Sequence, residues 1–294
     1  MPSAKNRSVE IVIRYVFVPL VLVGGGGAIV ALSPVSKPAV AGVVLAAILV
    51  SFVAEWAVPF DLAWNRPRGD RMRDAAHAIV NESSTAIGVL AVPAVVSAVP
   101  NLVSWPDGVP FVIQVVSAAV VLDVGITVAH WWSHRKDLLW RFHAVHHSVT
   151  RMYGFNGLVK HPVHQAVETT AGMLPLVLLG VPGDVAAAVA GLVVMQLLLQ
   201  HSNVDYRVGK LGRWLALNEG HRLHHVARVP DGDVNFGLFL LVWDRILGTF
   251  ADPTGRSVEA HELGLAGRPR YPVGYVDQLR EPFRRQARIY HLDA

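Results

Sequence analysis

Four long apolar runs dominate the first half of the chain. They occupy residues 11–33, 38–60, 84–100 and 111–129, and roughly 17–25 such residues cross a bilayer core as a helix. The pattern predicts four membrane-spanning helices, in preference to a soluble protein with four buried helices. The first run is longer than the apolar core of about 7–15 residues in a signal peptide, and no small-x-small cleavage site follows it. A retained first span is therefore expected.

Glycine and proline are expected to modify two of these spans. The run "GGGG" at 24–27 weakens a helix locally and permits a kink or close packing against another span. Pro93 is expected to bend the third span, because a proline inside a helix removes one hydrogen bond and crowds the preceding turn.

A further apolar stretch, residues 166–200, is interrupted by "GVPGD" at 180–184. Each arm is a little shorter than a full span. We expect a hairpin that enters the bilayer and returns, because that leaves His161 and His201 on the same side. A single tilted span would place them on opposite sides, and basic residues near both ends argue against it.

Basic residues alternate with the apolar runs and predict an orientation. Lys and Arg cluster at 5–14 and 66–73, are absent from 74–134, and return at Arg135. Short cytoplasmic loops carry the Lys/Arg excess, so the N-terminus, the predicted 61–80 loop and everything from about residue 130 are expected in the cytoplasm. The linker 101–110 is expected on the opposite side. The basic surface suits anionic lipid headgroups, and no nucleic-acid partner is expected.

Composition narrows the chemistry. Of the 294 residues, 52% are hydrophobic and 16% charged, against about a quarter charged in soluble domains. The chain contains no cysteine, which excludes disulfides, a cysteine nucleophile, thiolate zinc sites and a cysteine-ligated iron–sulfur cluster on this chain.

Histidines cluster in three short stretches, "HWWSH", "FHAVHHS" and "HRLHH". The first stretch ends a predicted helix over 111–134, and the second lies in a short amphipathic, interfacial segment. Spacings of three and four residues place the rings of each stretch on one helical face. The histidines are His130 and His134, then His143, His146 and His147, and finally His221, His224 and His225. A turn-rich loop at 231–237 and an apolar helix at 238–247 are expected after them.

Eight converging imidazoles predict metal binding. Protonated rings would repel one another and neutral rings would bury unpaired nitrogens, whereas metal ions relieve both costs. Eight ligands suffice for two ions with four each, and His201 and His161 are candidates for fifth positions. Imidazole suits iron, zinc, copper or nickel. A site beside hydrocarbon suggests the chemistry: paired ferrous ions can reduce O2 to an oxidant able to attack an unactivated C–H bond, whereas redox-silent zinc cannot.

The second ring nitrogen of a metal-binding histidine usually needs an acceptor. The candidates are Asp123, Asp231, Asp233, Glu219 and the side chain of Asn235. Asp123 lies inside an apolar span, where an acidic residue is costly and indicates function. The isolated His77, His261 and His291 are expected to be ordinary packed or surface residues.

The order of the motifs resembles the fatty acid hydroxylase/sterol desaturase superfamily of integral-membrane non-haem diiron enzymes. The motifs are HWWSH (130–134), FHAVHH (142–147), KHP (160–162), HSN (201–203), HRLHH (221–225), NFG (235–237) and WDRILGTF (243–250). The resemblance covers roughly residues 115–252. It implies an all-α bundle with a cytoplasmic diiron cap, with the eight histidines of the three stretches as ligands and His201 as an additional one. Many members of the superfamily have an acidic residue at the position of His164, whose role as a ligand or as a partner of ligands stays open.

The resemblance also implies a reaction, O2-dependent hydroxylation or desaturation of a lipid by two iron ions. The substrate could be a sterol, a fatty acyl chain, an ether lipid or a carotenoid. A separate ferredoxin, cytochrome or reductase is expected to supply electrons. The basic tail could bind this donor or simply be solvated at the membrane surface; its arginines are Arg268, Arg270, Arg280, Arg284, Arg285 and Arg288.

The predicted organisation has three parts: spanning helices at 1–110, a catalytic region at 111–252 and the tail at 253–294. Two other functions compete with the oxygenase. A membrane metal or proton carrier predicts polar residues spread through several spans. A bis-histidine haem electron carrier predicts isolated histidine pairs within the bilayer instead of triplets.

Overall fold

The computed structural model describes residues 4–100, 102, 104–228, 231–268 and 270–284. Within these ranges the secondary structure is helical, and extended pairing occurs only as isolated bridges such as Leu215 with Leu240. The α-helices are α1 (Ala4–Pro19), α2 (Gly26–Leu32), α3 (Lys37–Ala57), α4 (Arg71–Ala98), α5 (Phe111–Ser133), α6 (Asp137–His147), α7 (Pro162–Leu178), α8 (Gly183–His201), α9 (Asn218–His224), α10 (Val242–Leu247) and α11 (Tyr275–Arg280).

Five helical segments are long and apolar enough to cross a bilayer. They are Arg7–Leu32, which joins α1 and α2, and the helices α3, α4, α5 and α8. Large apolar side chains such as Leu49, Trp56 and Leu90 are exposed on these helices, which is expected where lipid replaces water. The predicted all-α, polytopic membrane bundle is confirmed.

The glycine run at 24–27 lies at an irregularity in the first span. A π-helix, Leu20–Gly25, joins α1 to α2. A Cβ atom at Gly25 would lie 2.8 Å from the Cε of Met195 on α8. The glycines therefore combine the predicted local weakening of the α-helix with close packing against another span. At Pro93, α4 continues and ends only at Ala98.

Helix α4 begins at Arg71, well before the predicted residue 84. Residues 71–80 of the expected 61–80 loop are therefore helical. Its first turns carry polar side chains that face the protein and therefore escape a search for apolar runs. The hydroxyl of Tyr153 donates to the Asp74 carboxylate at 2.6 Å, and the amide of Asn81 donates to the carbonyl of Leu158 at 3.0 Å. These contacts attach the start of α4 to the segment that precedes α7.

Helices α7 and α8 form the predicted hairpin, which turns at Gly180 with a φ of 74°. Its open ends meet beside His146, whose ring lies 3.0 Å from the carbonyl of Val159 and 3.2 Å from the ring of His201. At the tip, the N–H of Leu102 donates to the carbonyl of Leu178 at 2.9 Å. The hairpin therefore reaches the far linker, and α8 alone is long enough for a span.

The cap contains α6, α9, α10 and the loops between them. Helix α10 covers only Val242–Leu247, not the predicted 238–247. The preceding residues are held extended, because Leu240 bridges to Leu215 and the carboxylate of Asp123 accepts from the N–H groups of residues 238, 239 and 240.

The described part of the tail packs on α4 and α6. The ring of His77 lies 2.9 Å from the Gln278 side-chain oxygen, and the rings of Phe142 and Phe283 are 5.5 Å apart. Arg285, Arg288 and His291 lie outside the described residues.

Candidate metal centre

Nine buried or nearly buried histidines form two adjoining groups in the cap. The first histidine group is His130, His134, His143, His147 and His224. The second histidine group is His146, His201, His221 and His225. Within each group, atoms able to bind a metal lie within 4.8 Å of one another. The sequence clusters therefore converge in space, as sets of five and four.

The division between the groups follows from helical geometry. Helix α5 ends at the first group, and α8 ends at the second group with His201. Helices α6 and α9 each contribute to both groups, because three- and four-residue spacings place neighbouring rings side by side. The eight histidines of the three stretches divide five to three instead of four to four, and His201 brings the second group to four.

The two groups are in direct contact. Across the groups, the ring centroids of His147 and His225 are 4.6 Å apart and stacked, and those of His143 and His146 are 5.4 Å apart. Rings from the stretches at 130–147 and 221–225 therefore share one pocket.

Main-chain carbonyls hold four of the rings through their Nδ1 atoms. The pairs are His130 with Phe236 and His224 with Val234 at 2.9 Å, and His146 with Val159 and His201 with Leu197 at 3.0 Å. Because a carbonyl only accepts hydrogen bonds, each Nδ1 atom carries a proton and donates a hydrogen bond to it. In a neutral ring the Nε2 atom then carries a lone pair.

Asp233 holds a fifth ring. The Nδ1–H of His134 donates to its Oδ1 at 2.9 Å, and Arg135 lies 3.9 Å from the other carboxylate oxygen. A carboxylate in this position fixes the ring and raises its basicity toward a metal. Asp233 thus lies where an acceptor for a histidine ring was predicted.

The spacing of the Nε2 atoms fits metal ions. The Nε2 of His201 lies 3.2 Å from that of His146 and 3.0 Å from that of His221. Two nitrogens bound to one ion at about 2.0–2.1 Å are roughly 3.0–3.4 Å apart. The buried Nε2 atoms of His130 and His224 have no hydrogen-bond partner among the described residues. These nitrogens have the positions and the free lone pairs that metal ligands require.

Burial, reinforced by the charge of neighbouring imidazoles, lowers the pKa of the cap histidines well below the usual value. The affected rings are His134, His143, His146, His147, His221, His224 and His225. Neutral rings are the form that binds a metal.

A cavity of about 20 Å³ lies between the groups and has room for one water-sized molecule. Its walls include His130 and His143 from the first group and His146 and His201 from the second. Ile126 and Leu197 from the spanning helices supply apolar walls. A small gas molecule could therefore contact both groups.

Lys160 and Glu168 also line this cavity, although the sequence interpretation did not select them. They form a buried ion pair at 2.5 Å. The available signal was an acidic residue within the apolar arm of the hairpin. Neutralising each other, the two side chains bring polarity to the cavity without leaving an unpaired charge there.

His164 packs against the first group without belonging to either group. Its ring centroid is 4.3 Å from that of His143, and its Nε2 lies 3.0 Å from the hydroxyl of Ser133. Its Nδ1 is 3.8 Å from the carboxylate of Glu168. The structure places His164 as a link between the first group and the Lys160–Glu168 pair.

His161 lies farther out. Its Nδ1 accepts from the N–H of Val163, and its Nε2 is 3.2 Å from the carbonyl of Leu279. This ring caps the start of α7 and contacts the tail, instead of joining either group.

Asp123 and Asn235 support the loop that carries the ring acceptors. Besides binding the N–H groups of residues 238–240, Asp123 accepts from the indole of Trp243 at 2.7 Å. Asn235 has a φ of 54°, and its amide donates to the carbonyls of Gly220 and Ala251. Both side chains shape the backbone around the groups.

The remaining candidates bind elsewhere or have ordinary surroundings. Glu219 lies 3.9 Å from Arg207, and Asp231 precedes the acceptor loop. His77 is buried between the carbonyl of Lys160 and the side chain of Gln278, at 2.9 Å from each. His261 is exposed beside Glu259.

Known proteins are similar in sequence to the part of this chain that contains the two histidine groups. A family model described as "Fatty acid hydroxylase" matches residues 115–249. Ornithine lipid hydroxylase OlsE of Rhizobium tropici is 32% identical over 255 residues, covering 84% of this chain and 76% of that protein. Alkylglycerol monooxygenase of Danio rerio is 28% identical over 145 residues, covering 49% of this chain and 32% of that protein.

A third relative is sphinganine C4-monooxygenase 1 of Arabidopsis thaliana, which is 27% identical over 142 residues, covering 47% of this chain and 54% of that protein. No solved structure shows a significant match. The matched region includes every histidine of both groups, and the similarity to OlsE extends over most of both proteins. The chain is a multi-pass membrane protein and belongs to the fatty acid hydroxylase family.

Proposed function

We propose that this chain is a membrane-bound diiron oxygenase that hydroxylates a lipid, using O2 and externally supplied electrons. The observation that carries the proposal is the pair of adjoining histidine groups. Five and four rings are enough to bind two ions, and the small cavity between the groups touches both. This cavity has no room for a porphyrin, which disfavours the alternative of a bis-histidine haem carrier.

The relatives favour hydroxylation over desaturation. Their names describe a hydroxylase of ornithine lipid and monooxygenases of alkylglycerol and sphinganine. All three compounds carry long alkyl chains. A lipid with an alkyl chain could approach from the bilayer, because the histidine groups lie where α5 and α8 end. We therefore propose a lipid C–H bond as the site of oxidation.

The protein's own residues bind, orient and shield. The nine histidines would hold the ions, while main-chain carbonyls and Asp233 keep their rings in position. Ile126 and Leu197 limit the entry of water into the cavity. Bound iron would supply the redox chemistry with O2. In balance, R–H, O2, two electrons and two protons give R–OH and water.

We further propose that the metal centre faces the cytoplasm and receives its two electrons from a separate ferredoxin, cytochrome or reductase. Basic residues flanking the spans support this orientation. Exposed Arg270, Arg280 and Arg284 of the tail offer a surface for an acidic donor, which would be attracted at long range.

Iron content and product mass test the proposal together. The purified wild-type protein should contain about two irons per chain and consume O2 when lipid and reductant are present. Extracted lipids from cells with the intact gene should include a species heavier by one oxygen atom than those from cells without it. His221→Ala should abolish that species, and His261→Ala, at an exposed histidine, should preserve it. An oxidised lipid made by iron-free protein would contradict the proposal.

A further inference from the structure

A second, larger cavity lies on the side of α9 away from the histidine groups. Its volume is about 780 Å³, within the usual range for small-molecule sites. Basic side chains outnumber acidic ones in its lining, five to two. The basic residues are Arg207, Lys210, Arg213, Arg222 and Arg256, and the acidic residues are Asp205 and Glu219. This composition favours an anionic ligand.

Arg222 is the buried one among the basic residues of this lining, with 4% of its surface exposed. Its guanidinium lies over the ring of Phe60 at 3.7 Å, and its Nη2 donates to the carbonyl of Ser202 at 3.0 Å. Its Nε has no hydrogen-bond partner among the described residues, and the carboxylates of Glu219 and Glu55 attract the guanidinium only from beyond ion-pair distance. An unpaired buried guanidinium is costly, and an oxyanion would complete its hydrogen bonding.

The other basic residues add charge at the rim. Arg213 pairs with Asp252 at 2.8 Å, and Arg256 pairs with Glu262 at 3.2 Å. Their acidic partners are not part of the cavity lining. Lys210 is exposed. These side chains can reorient toward an anion at little cost, since exposed ion pairs contribute only about 0–1 kcal/mol.

The cavity lies beside a face of α1 that is available to lipid. Tyr15 is part of the lining, and the neighbouring Arg14 forms an ion pair with Asp205. Ile11 and Val12 on the same helix are 53% and 55% exposed. A headgroup in the cavity could therefore belong to a lipid whose alkyl chains lie along α1.

We propose that this cavity binds the phosphate-bearing headgroup of an anionic membrane lipid, with Arg222 as the buried anchor. A concave site with a buried arginine suits a small headgroup better than the broad surface of a protein. The assignment is independent of the oxidation reaction, because it concerns binding on the opposite side of α9. Arg222 lies between His221 and His224 in that helix, so one helix would contact both the headgroup and the histidine groups.

Native mass spectrometry of the full-length protein in detergent tests the site. The probes are dioleoyl phosphatidylglycerol and dioleoyl phosphatidylcholine, which differ in net charge but not in acyl chains. The wild-type protein should bind the first phosphatidylglycerol about tenfold more tightly than phosphatidylcholine. Equal affinity for the two lipids would overturn the proposal.

Matched double variants locate the binding. Lys210→Gln with Arg256→Gln, at exposed rim positions, should weaken phosphatidylglycerol binding about tenfold. The control, Arg71→Gln with Lys136→Gln, removes the same charges from exposed positions outside the cavity and should change the affinity by less than about twofold. Equal losses in both variants would show diffuse surface attraction and would overturn the assignment. Arg222→Lys, which keeps the charge but loses the planar fork, should also weaken binding.

Two competitors separate the lipid from other anions. Inorganic phosphate should displace phosphatidylglycerol only at far higher concentration; equal affinity would assign the cavity to a soluble oxyanion instead. An acidic ferredoxin should bind the rim variant and the wild-type protein equally. If the rim variant lost ferredoxin binding but kept lipid binding, the cavity would be a protein-docking site and the proposal would be wrong.

Discussion

The Nε2 atoms of His146 and His201 lie 3.2 Å apart, while the Nδ1 atom of each ring donates to a main-chain carbonyl. A neutral imidazole has one proton, so the two facing nitrogens both present lone pairs. They repel each other unless a cation lies between them. Because burial lowers the pKa of His146 well below its usual value, a metal ion is a better cation here than a proton.

Metal removal should therefore destabilise the folded protein. We expect a chelator that strips the iron to lower the apparent Tm by about 5–10 °C, since ligands that bind only the folded state stabilise it by mass action. Adding ferrous iron back should restore the Tm. An unchanged Tm, with iron loss verified by elemental analysis, would mean that repulsion between the metal-free histidine rings does not destabilise the fold.

Acid should weaken the metal-free protein at a mildly acidic pH. Burial lowers the pKa of His143 and His147 in the folded chain, whereas unfolded histidines titrate near 6.5. Below that pH the unfolded chain binds protons that the folded chain excludes, so the free energy of unfolding falls as the pH falls. The expected loss is about 1.4 kcal/mol per pH unit for each such ring.

Thermal melts of metal-free protein between pH 7.5 and 5.5 measure this effect. The Tm should be nearly constant above about pH 7 and should decrease below about pH 6.5. Stability that is constant or that rises toward pH 5.5 would be inconsistent with buried neutral rings.

Asp233→Asn should weaken metal binding with little change in fold. The carboxylate holds the Nδ1–H of His134 at 2.9 Å, and loss of such a partner usually lowers metal affinity or activity by about 10–100-fold. Iron content after dialysis against a weak chelator measures the effect. Asp231→Asn, two residues away, is the matched control and should retain wild-type iron. Equal iron loss in both variants would attribute the effect to the loss of one negative charge in this loop, and not to the hydrogen bond with His134.

Gly157→Ala should disturb His201 directly. A Cβ atom at residue 157 would lie 2.9 Å from the Nδ1 of His201 and 2.7 Å from the carbonyl of Leu197. These are the two groups that share the hydrogen bond fixing the ring. We expect a loss of about 1–3 kcal/mol in stability and about one fewer iron per chain, by calorimetry and elemental analysis.

Gly88→Ala provides the comparison for this variant. Position 88 lies in the spanning helix α4, and an added Cβ there meets no atom within 4 Å. This substitution should keep full iron content and should not destabilise the helix. If Gly157→Ala also keeps its iron, the close approach at His201 is not needed for binding.

The proposed orientation can be tested by cysteine labelling, because the chain has no native cysteine. Single variants Lys37→Cys and Arg66→Cys place exposed thiols at the first residue of α3 and in the segment after it. In intact cells a membrane-impermeant maleimide should label only Lys37→Cys, and both should react after permeabilisation. Labelling of Arg66→Cys alone in intact cells would reverse the orientation.

Local spacing predicted which histidines would lie together in the candidate metal centre. Helical periodicity placed His143, His146 and His147 together, and the apolar runs located the spans. Spacing within one helix does not reveal which ring turns toward which neighbouring helix. The division into groups of five and four depends on the packing of α5, α6, α8 and α9, and this tertiary information is absent from short motifs.

Features that depend on distant contacts were predicted less well. The early start of α4 escaped notice because Asp74 and Asn81 look like loop residues until Tyr153 and Leu158 pack against them. Most ring acceptors are main-chain carbonyls, which every residue possesses, so side-chain identity predicted only Asp233 among them. The Lys160–Glu168 pair was missed because only the tertiary fold shows that these two side chains lie beside the cavity.

Helix α6 carries His143 and His147 for one group and His146 for the other. If each group binds an ion, as proposed, one rigid helix would carry ligands for both, so the first ion to bind would fix the orientation available to the second. Iron uptake should then be cooperative, with few chains holding a single ion at half saturation.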